Sequence, residues 1–107
     1  MKVAIPSDNQ VTITKRTGQS KGFMVYEVIN KKIVHSEYRE NMMAEHNEET
    51  VHSHAQIIEL LKDVNLLLVA AIGKYMKKDV DKSTIKYQLV QEEELTQIIE
   101  TFLSKLK

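Results

Sequence analysis

The chain of 107 residues reads as a single α/β domain spanning 1–107, and three patterns carry that reading. The short apolar runs Val3-Ala4-Ile5 and 66–72 have the near-continuous hydrophobicity of strands buried on both faces. β-Branched and aromatic residues crowd 23–29 and 33–38 on either side of Asn30-Lys31-Lys32, as in a hairpin. Apolar residues recur at helical spacing over 52–63 and again from Leu95 to Leu106.

Taken in order, strand one covers 2–6 and is stopped by the turn formers Pro6-Ser7-Asp8-Asn9. Residues 7–21 are polar apart from Val11 and Ile13, and a loop of that length inside a compact domain tends to be functional. Strand two is 23–29, Asn30 tolerates the positive φ of a tight turn, and strand three is 33–39. A second polar loop, 41–53, interrupted by Met42 and Met43, leads into a helix over 52–63 whose stripe is Ala55, Ile58 and Leu61, widened by Ile57, Leu60 and Val64. Strand four is 66–72. Gly73 opens a charged segment, 74–81, read as a short helix covering little core, and Ile85, Tyr87 and Leu89 alternate as strand five. The last helix repeats Leu95, Ile98, Ile99, Phe102, Leu103 and Leu106, with Glu92, Glu93 and Glu94 expected in its first turn and Lys105 and Lys107 in its last. Those signs complement the helix dipole. The order is β-β-β-α-β-α-β-α, without repeat, linker or low-complexity stretch.

Composition removes several function classes. Fifteen basic residues balance 15 acidic ones, so the broad positive field that favours nucleic acid or anionic membrane is missing. With no Cys there can be no disulfide, thiol nucleophile, Cys-type zinc site or Cys-ligated iron–sulfur cluster, and any metal falls to His or oxygen. The longest apolar run, 66–72, falls far short of the ~20 residues that span a bilayer. Pro6 interrupts the N-terminal segment before a secretory h-region forms, so a soluble cytoplasmic protein is expected.

Connectivity locates a site. If the hairpin makes strand two antiparallel to strand one, strand three runs parallel to strand one, and right-handed helical crossovers align strands four and five with it. The loops 7–21, 41–53 and 71–75 then gather at the carboxyl ends of parallel strands, where open α/β sheets bind ligands.

Three side-chain sets on these loops carry chemistry. His46, His52 and His54, beside Glu45, Glu48 and Glu49, suit borderline metals such as Zn²⁺, Ni²⁺ or Fe²⁺. A helix already formed at 52 would separate His52 from His54 by about 160° and leave His54 packed in the apolar stripe. A helix starting at Ser53 as N-cap would let the three converge. Lys15-Arg16-Thr17-Gly18-Gln19-Ser20-Lys21-Gly22 offers cations and glycine amides to an anion, or is a plain surface loop; it matches neither a Walker loop nor a dinucleotide fingerprint, so no nucleotide cofactor is expected. Asp8 ends strand one, but no second carboxylate is forced beside it, so a two-metal hydrolase is disfavoured, and no serine sits in a nucleophile elbow.

Nearly the whole chain resembles the dinitrogenase iron-molybdenum cofactor biosynthesis domains, which include NifX, NafY and the C-terminal part of NifB. The likeness is carried by Met1-Lys2-Val3-Ala4-Ile5-Pro6-Ser7-Asp8, by Ser20-Lys21-Gly22-Phe23-Met24-Val25-Tyr26-Glu27 and by Ile57-Ile58-Glu59-Leu60-Leu61-Lys62-Asp63. A His-bearing loop before the first helix is also a habit of that family. The resemblance implies a ribonuclease-H-like three-layer α/β fold, a mixed five-stranded sheet of order 3-2-1-4-5 with strand two antiparallel. It also implies a non-catalytic role, binding or carrying an iron–sulfur or iron–molybdenum type cofactor precursor, with a protein partner in its delivery. Where the family usually has His-Phe-Gly-Arg this chain has Arg16-Thr17-Gly18-Gln19, and in place of Cys-Gly-Gly-Met-Gly it has Val69-Ala70-Ala71-Ile72-Gly73. The expected contacts are therefore Arg16, Gly18 and Gly73 for the cofactor or a small anion, and His46, His52 and His54 for metal. The alternative is a divergent member that has lost its ligand and serves as a protein-interaction module.

Overall fold

The computed structural model describes residues 1–41 and 55–106. The strands are β1 (Lys2–Pro6), β2 (Gly22–Ile29), β3 (Lys32–Glu40), β4 (Leu66–Val69) and β5 (Lys86–Leu89), and the helices are α1 (Ala55–Leu60), α2 (Lys74–Asp81) and α3 (Leu95–Lys105). One mixed sheet has the order β3-β2-β1-β4-β5. β2 is antiparallel to both β1 and β3, and β4 is parallel to both β1 and β5. Among the described residues, no helix is long and apolar enough to cross a membrane.

Residue alternation builds the layers. Ala4, Phe23, Val25, Leu67 and Val69 pack with Ile57 and Leu61 of the α1 region and Met76 and Val80 of α2. Val3, Ile5, Tyr26, Val28 and Leu68 pack with Leu95, Ile98, Ile99 and Phe102 of α3. Helices thus cover both faces, which is why β1 and β4 read as continuous apolar runs rather than alternating ones. The hairpin turn has Asn30 at φ 53° and Lys31 at φ 65°, the two positive values that a type I′ turn requires.

Several boundaries differ from the sequence reading. The run 66–72 overshoots its strand: the β4–β5 ladder ends at the Val69–Leu89 pair, and 70–73 leave the sheet as a loop. α1 closes at Leu60 into a turn, with the Leu61 amide donating to Ile57 O and the Val64 amide to Leu61 O. The expected helix start at 52–54 lies outside the described residues. α2 contributes more than expected, since Met76 and Val80 are core residues. Glu92 and Glu93 precede α3 instead of filling its first turn, and Glu94 is its N-cap. They are held there by a bridge between Thr12 and Glu94, with the Ile13 amide donating to Glu93 O and the Leu95 amide to Val11 O.

Arg39 on β3 closes one end of the α1 layer. Its guanidinium donates to both Asp63 oxygens, at 2.6 and 2.9 Å, and to Leu60 O at 2.9 Å, while Lys2 Nζ reaches Asp63 at 2.8 Å. Hydrogen bonds from Arg39, then from Lys2, hold the Asp63 carboxyl far below the ordinary carboxylate range. A depressed native pKa contributes stability above the unfolded value of about 4, and that stability fades as pH falls below it. Asp63→Asn is therefore expected to cost roughly 1 kcal/mol near neutrality, a discounted figure because the side chain is 40% exposed. The difference from the parent chain should close as pH falls below about 4 in urea titrations, and a constant difference across pH would contradict it.

Gly22 pairs with Glu40 at the start of β2, and a Cβ there would meet the Tyr38 ring and lie 2.7 Å from Arg39 O. Gly22→Ala is expected to lower unfolding stability by about 1–3 kcal/mol, read from the urea midpoint.

Candidate functional site

Four strands, β1, β3, β4 and β5, end on the same edge of the sheet, and Gly22 opens β2 there. The loops 7–21, 70–73 and 90–94 meet along it.

The first loop is fastened to its surroundings. Just after β1, the buried Ser7 hydroxyl donates to Thr12 O at 2.6 Å and accepts the Gln10 amide at 2.9 Å, and Asn9 Oδ1 accepts the Val11 and Thr12 amides at 2.8 Å each. These bonds hold Gln10 at φ 66°. Asp8 Oδ1 accepts the Lys21 amide at 2.8 Å, so this carboxylate closes the loop on itself. Tyr38 donates its hydroxyl to Ser7 O at 2.8 Å, and burial, reinforced by Asp8 and Glu40, raises that phenol above its ordinary range and keeps the donor protonated. Asn41 Nδ2 donates to Ser20 O at 3.0 Å, and the Asn41 amide to Lys21 O at 2.8 Å.

Within this frame, Thr17–Gln19 forms a turn of 3-10 helix that periodicity could not reveal, since it is too short to repeat. Thr17 is buried, and its hydroxyl donates to Ala71 O at 2.7 Å. That bond draws the loop carrying Arg16 and Gly18 onto the loop that enters α2 through Gly73. Arg16 is exposed, Gly18 half-buried and Gly73 exposed. A Cβ on Gly73 would meet nothing within 4 Å. Packing therefore does not require a glycine at 73. Gly73 is the N-cap of α2, and no side chain caps that helix start. Its first amides and the positive end of the helix dipole face the same edge as Lys15, Arg16 and Lys74, all exposed. Lys74 Nζ lies 5.1 Å from the Tyr75 ring centre, a cation–π contact that steadies it.

On the α3 side of the edge, a cavity of about 440 Å³ is lined by Thr12, Ile13, Lys15, Ala70 and the segment 90–93. Glu92 and Glu93 make part of its lining acidic. Hydrogen bonding from its own backbone amide, and then from Thr101, holds the Glu92 carboxyl below its usual range.

Arg16 and Gly18 share one loop and Gly73 the loop bonded to it. His46, His52 and His54 lie outside the described residues. The described histidine, His35, is an exposed residue of β3 with Nε2 3.6 Å from Glu37 Oε1. Among the described residues, no group of three His, Cys, Asp or Glu side chains could hold a metal ion. The described donors are guanidinium, ammonium and backbone amide, which fit an anion rather than a bare cation. Thr17 was the residue missed by sequence reasoning: in a polar loop nothing distinguishes a buried threonine from a solvated one.

The family model for dinitrogenase iron-molybdenum cofactor proteins matches residues 1–105. Solved structures of the same fold include PH0822, with a TM-score of 0.80 and 17% identity over 97% of this chain and 91% of that one. The apo form of the orange protein from Desulfovibrio gigas has a TM-score of 0.77 and 17% identity, over 96% of this chain and 87% of that one. A proposed dinitrogenase from Methanocaldococcus jannaschii has a TM-score of 0.74 and 19% identity, over 97% of this chain and 88% of that one. No curated protein sequence matches the chain.

The tether gives a direct test of the edge's rigidity. Thr17→Val keeps the shape and removes the donor, so it is expected to cost about 1 kcal/mol and to speed amide exchange at 70–73 more than in the strands. Unchanged exchange at 70–73 would mean that the tether does not hold the loops together.

Proposed function

We propose that this chain, which belongs to the dinitrogenase iron-molybdenum cofactor family, is a carrier for an iron–sulfur type metal cofactor or its precursor, held as cargo on the carboxyl edge of the sheet. The observation that supports this most is the Thr17 bond to Ala71, which joins the Arg16–Gly18 loop to the uncapped start of α2. Sulfide-rich clusters are anionic, and charge and hydrogen bonds to sulfur stabilise them in proteins. In this reading Arg16 and the backbone amides at Gly18 and Gly73 contact the anionic surface. His46, His52 and His54 supply iron ligands, since a chain without cysteine has imidazole and carboxylate to offer. The protein binds and releases its cargo in the cytoplasm, handing it to a protein partner, without chemistry of its own.

A second reading, an interaction module without cargo, is favoured by the length and exposure of the edge strand β3. The two separate in one experiment: anaerobic titration of the full chain with an iron–sulfur cofactor, followed by absorbance and bound iron. The carrier reading expects saturable binding near one cluster per chain. Arg16→Ala should weaken it about tenfold, the loss of one charge-assisted contact. A variant with His46→Ala, His52→Ala and His54→Ala should lose it. Absence of binding in the parent chain would favour the interaction module, and equal binding by the parent and the triple variant would remove the histidines from the site.

A further inference from the structure

We infer that the outward ridge of α2, made by Lys74, Lys78 and Lys82 with Tyr75 beside it, docks an acidic helix of a partner protein. The inference holds for either reading of the function, since a carrier hands over to a partner and an interaction module binds one, and it is tested without cargo. α2 turns Met76 and Val80 into the core. At about 100° per residue, Lys78 lies roughly 160° from both, at the centre of the outward face. Lys74 and Lys82 stand four residues before and after it on the same row. Lys82 extends the row because, as the C-cap, it keeps helical φ and ψ of −83° and −11°, and its amide donates to Lys78 O at 3.1 Å. All three lysines are exposed, and so is Tyr75, at 59%. The Tyr75 ring centre is 5.1 Å from Lys74 Nζ and 6.0 Å from Lys78 Nζ.

This arrangement works against the helix that carries it. Like charges four residues apart destabilise a helix, and Lys74–Lys78 and Lys78–Lys82 are two such pairs. Lys74 also places a cation at the positive end of the dipole, where no acidic residue stands in the first turn. Among the described residues no ion pair offsets this, whereas Lys2 and Lys62 pair with Asp63 and Glu59. A local rule broken without internal gain points to a functional surface. Charge then decides the occupant. Four residues of helix rise about 6 Å, so a partner helix with carboxylates four apart matches the lysine row step for step. Its ridge fits the groove between that row and Tyr75. Tyr75 supplies an aromatic centre, a residue type enriched where binding energy concentrates. Asp81, exposed about 60° to the other side of Lys78, would meet any broader anionic surface, so a narrow acidic helix fits better than a membrane or a nucleic-acid duplex.

The probe is a capped, alanine-based helical peptide with Glu at three positions spaced by four residues, titrated at low salt into the isotope-labelled full chain without cargo. Amide shifts are expected to saturate and to centre on 74–82. The Gln counterpart of the peptide, or the Glu peptide with Lys78→Glu, should bind about tenfold more weakly. A chain with Lys74→Glu, Lys78→Glu and Lys82→Glu should instead prefer the Lys version of the peptide. Lys74→Glu alone should raise the urea midpoint, because it removes a repulsion and suits the dipole, whereas a ridge kept for stability would lose stability on the same change. Shifts spread over the whole surface, equal binding of the Glu and Gln peptides, or a lower midpoint in Lys74→Glu would each overturn the assignment. So would tighter binding of single-stranded DNA or phosphatidylserine vesicles through the same lysines, or peptide-free shifts at 74–82 that grow with protein concentration, the mark of a second copy.

Discussion

Everything else in the molecule hangs on β1. It is the central strand, and Val3, Ala4 and Ile5 are fully buried, Ala4 facing the α1–α2 core and the other two the α3 core. Burying a side chain the size of Val or Ile contributes about 1.5–3 kcal/mol, so five residues of sequence tie both cores to one backbone. β2 and β4 are ordered by pairing with that backbone on its two sides. The carboxyl end of the same strand delivers Ser7 and Asp8 to the carboxyl edge of the sheet, and the rigidity of the core passes directly to the first loop.

That loop is polar without being loose. Buried Ser7, Thr17, Ser20 and Asn41 all lie on the carboxyl edge of the sheet, and each has hydrogen-bond partners. Among the described residues, no buried side-chain nitrogen or oxygen lacks one. A buried polar group is tolerated only when it is satisfied, and a satisfied network fixes one geometry. The edge can therefore present Lys15, Arg16 and the α2 amides in a set arrangement although they sit on loops.

Where one face or one period decides an element, the sequence was legible. Burial on both faces made Val3-Ala4-Ile5 a strand, helical spacing found α3, and the hairpin followed from its β-formers and Asn30. The sheet order rested on the family resemblance and agrees with the structure. Periodicity was silent where a single tertiary bond decides. Ala70, Ala71 and Ile72 look like strand, yet the ladder to β5 has ended and Ala71 O is taken by Thr17. Glu92 and Glu93 look like a first turn, yet pairing with the first loop holds them before the helix. Pattern and resemblance suggested Arg16, Gly18 and Gly73 as contacts, while the bond that brings their loops together was not legible, because a 54-residue separation leaves no local signal.

A net charge of zero conceals an uneven distribution. Lys15, Arg16 and Lys74 stand on the edge, whereas Glu92 and Glu93 line the 440 Å³ cavity together with Lys15. At physiological salt the field of such exposed charges reaches only about 8 Å. Long-range steering is thus excluded for a neutral chain, and selectivity has to arise at contact. Fixed loops matter more there than a high count of cations would, because short-range charge and hydrogen bonds lose their effect when donors move by an ångström. The ties from Asp8, Thr17, Tyr38 and Asn41 to the backbone of this edge hold the loops that carry Lys15 and Arg16 against the loop that enters α2.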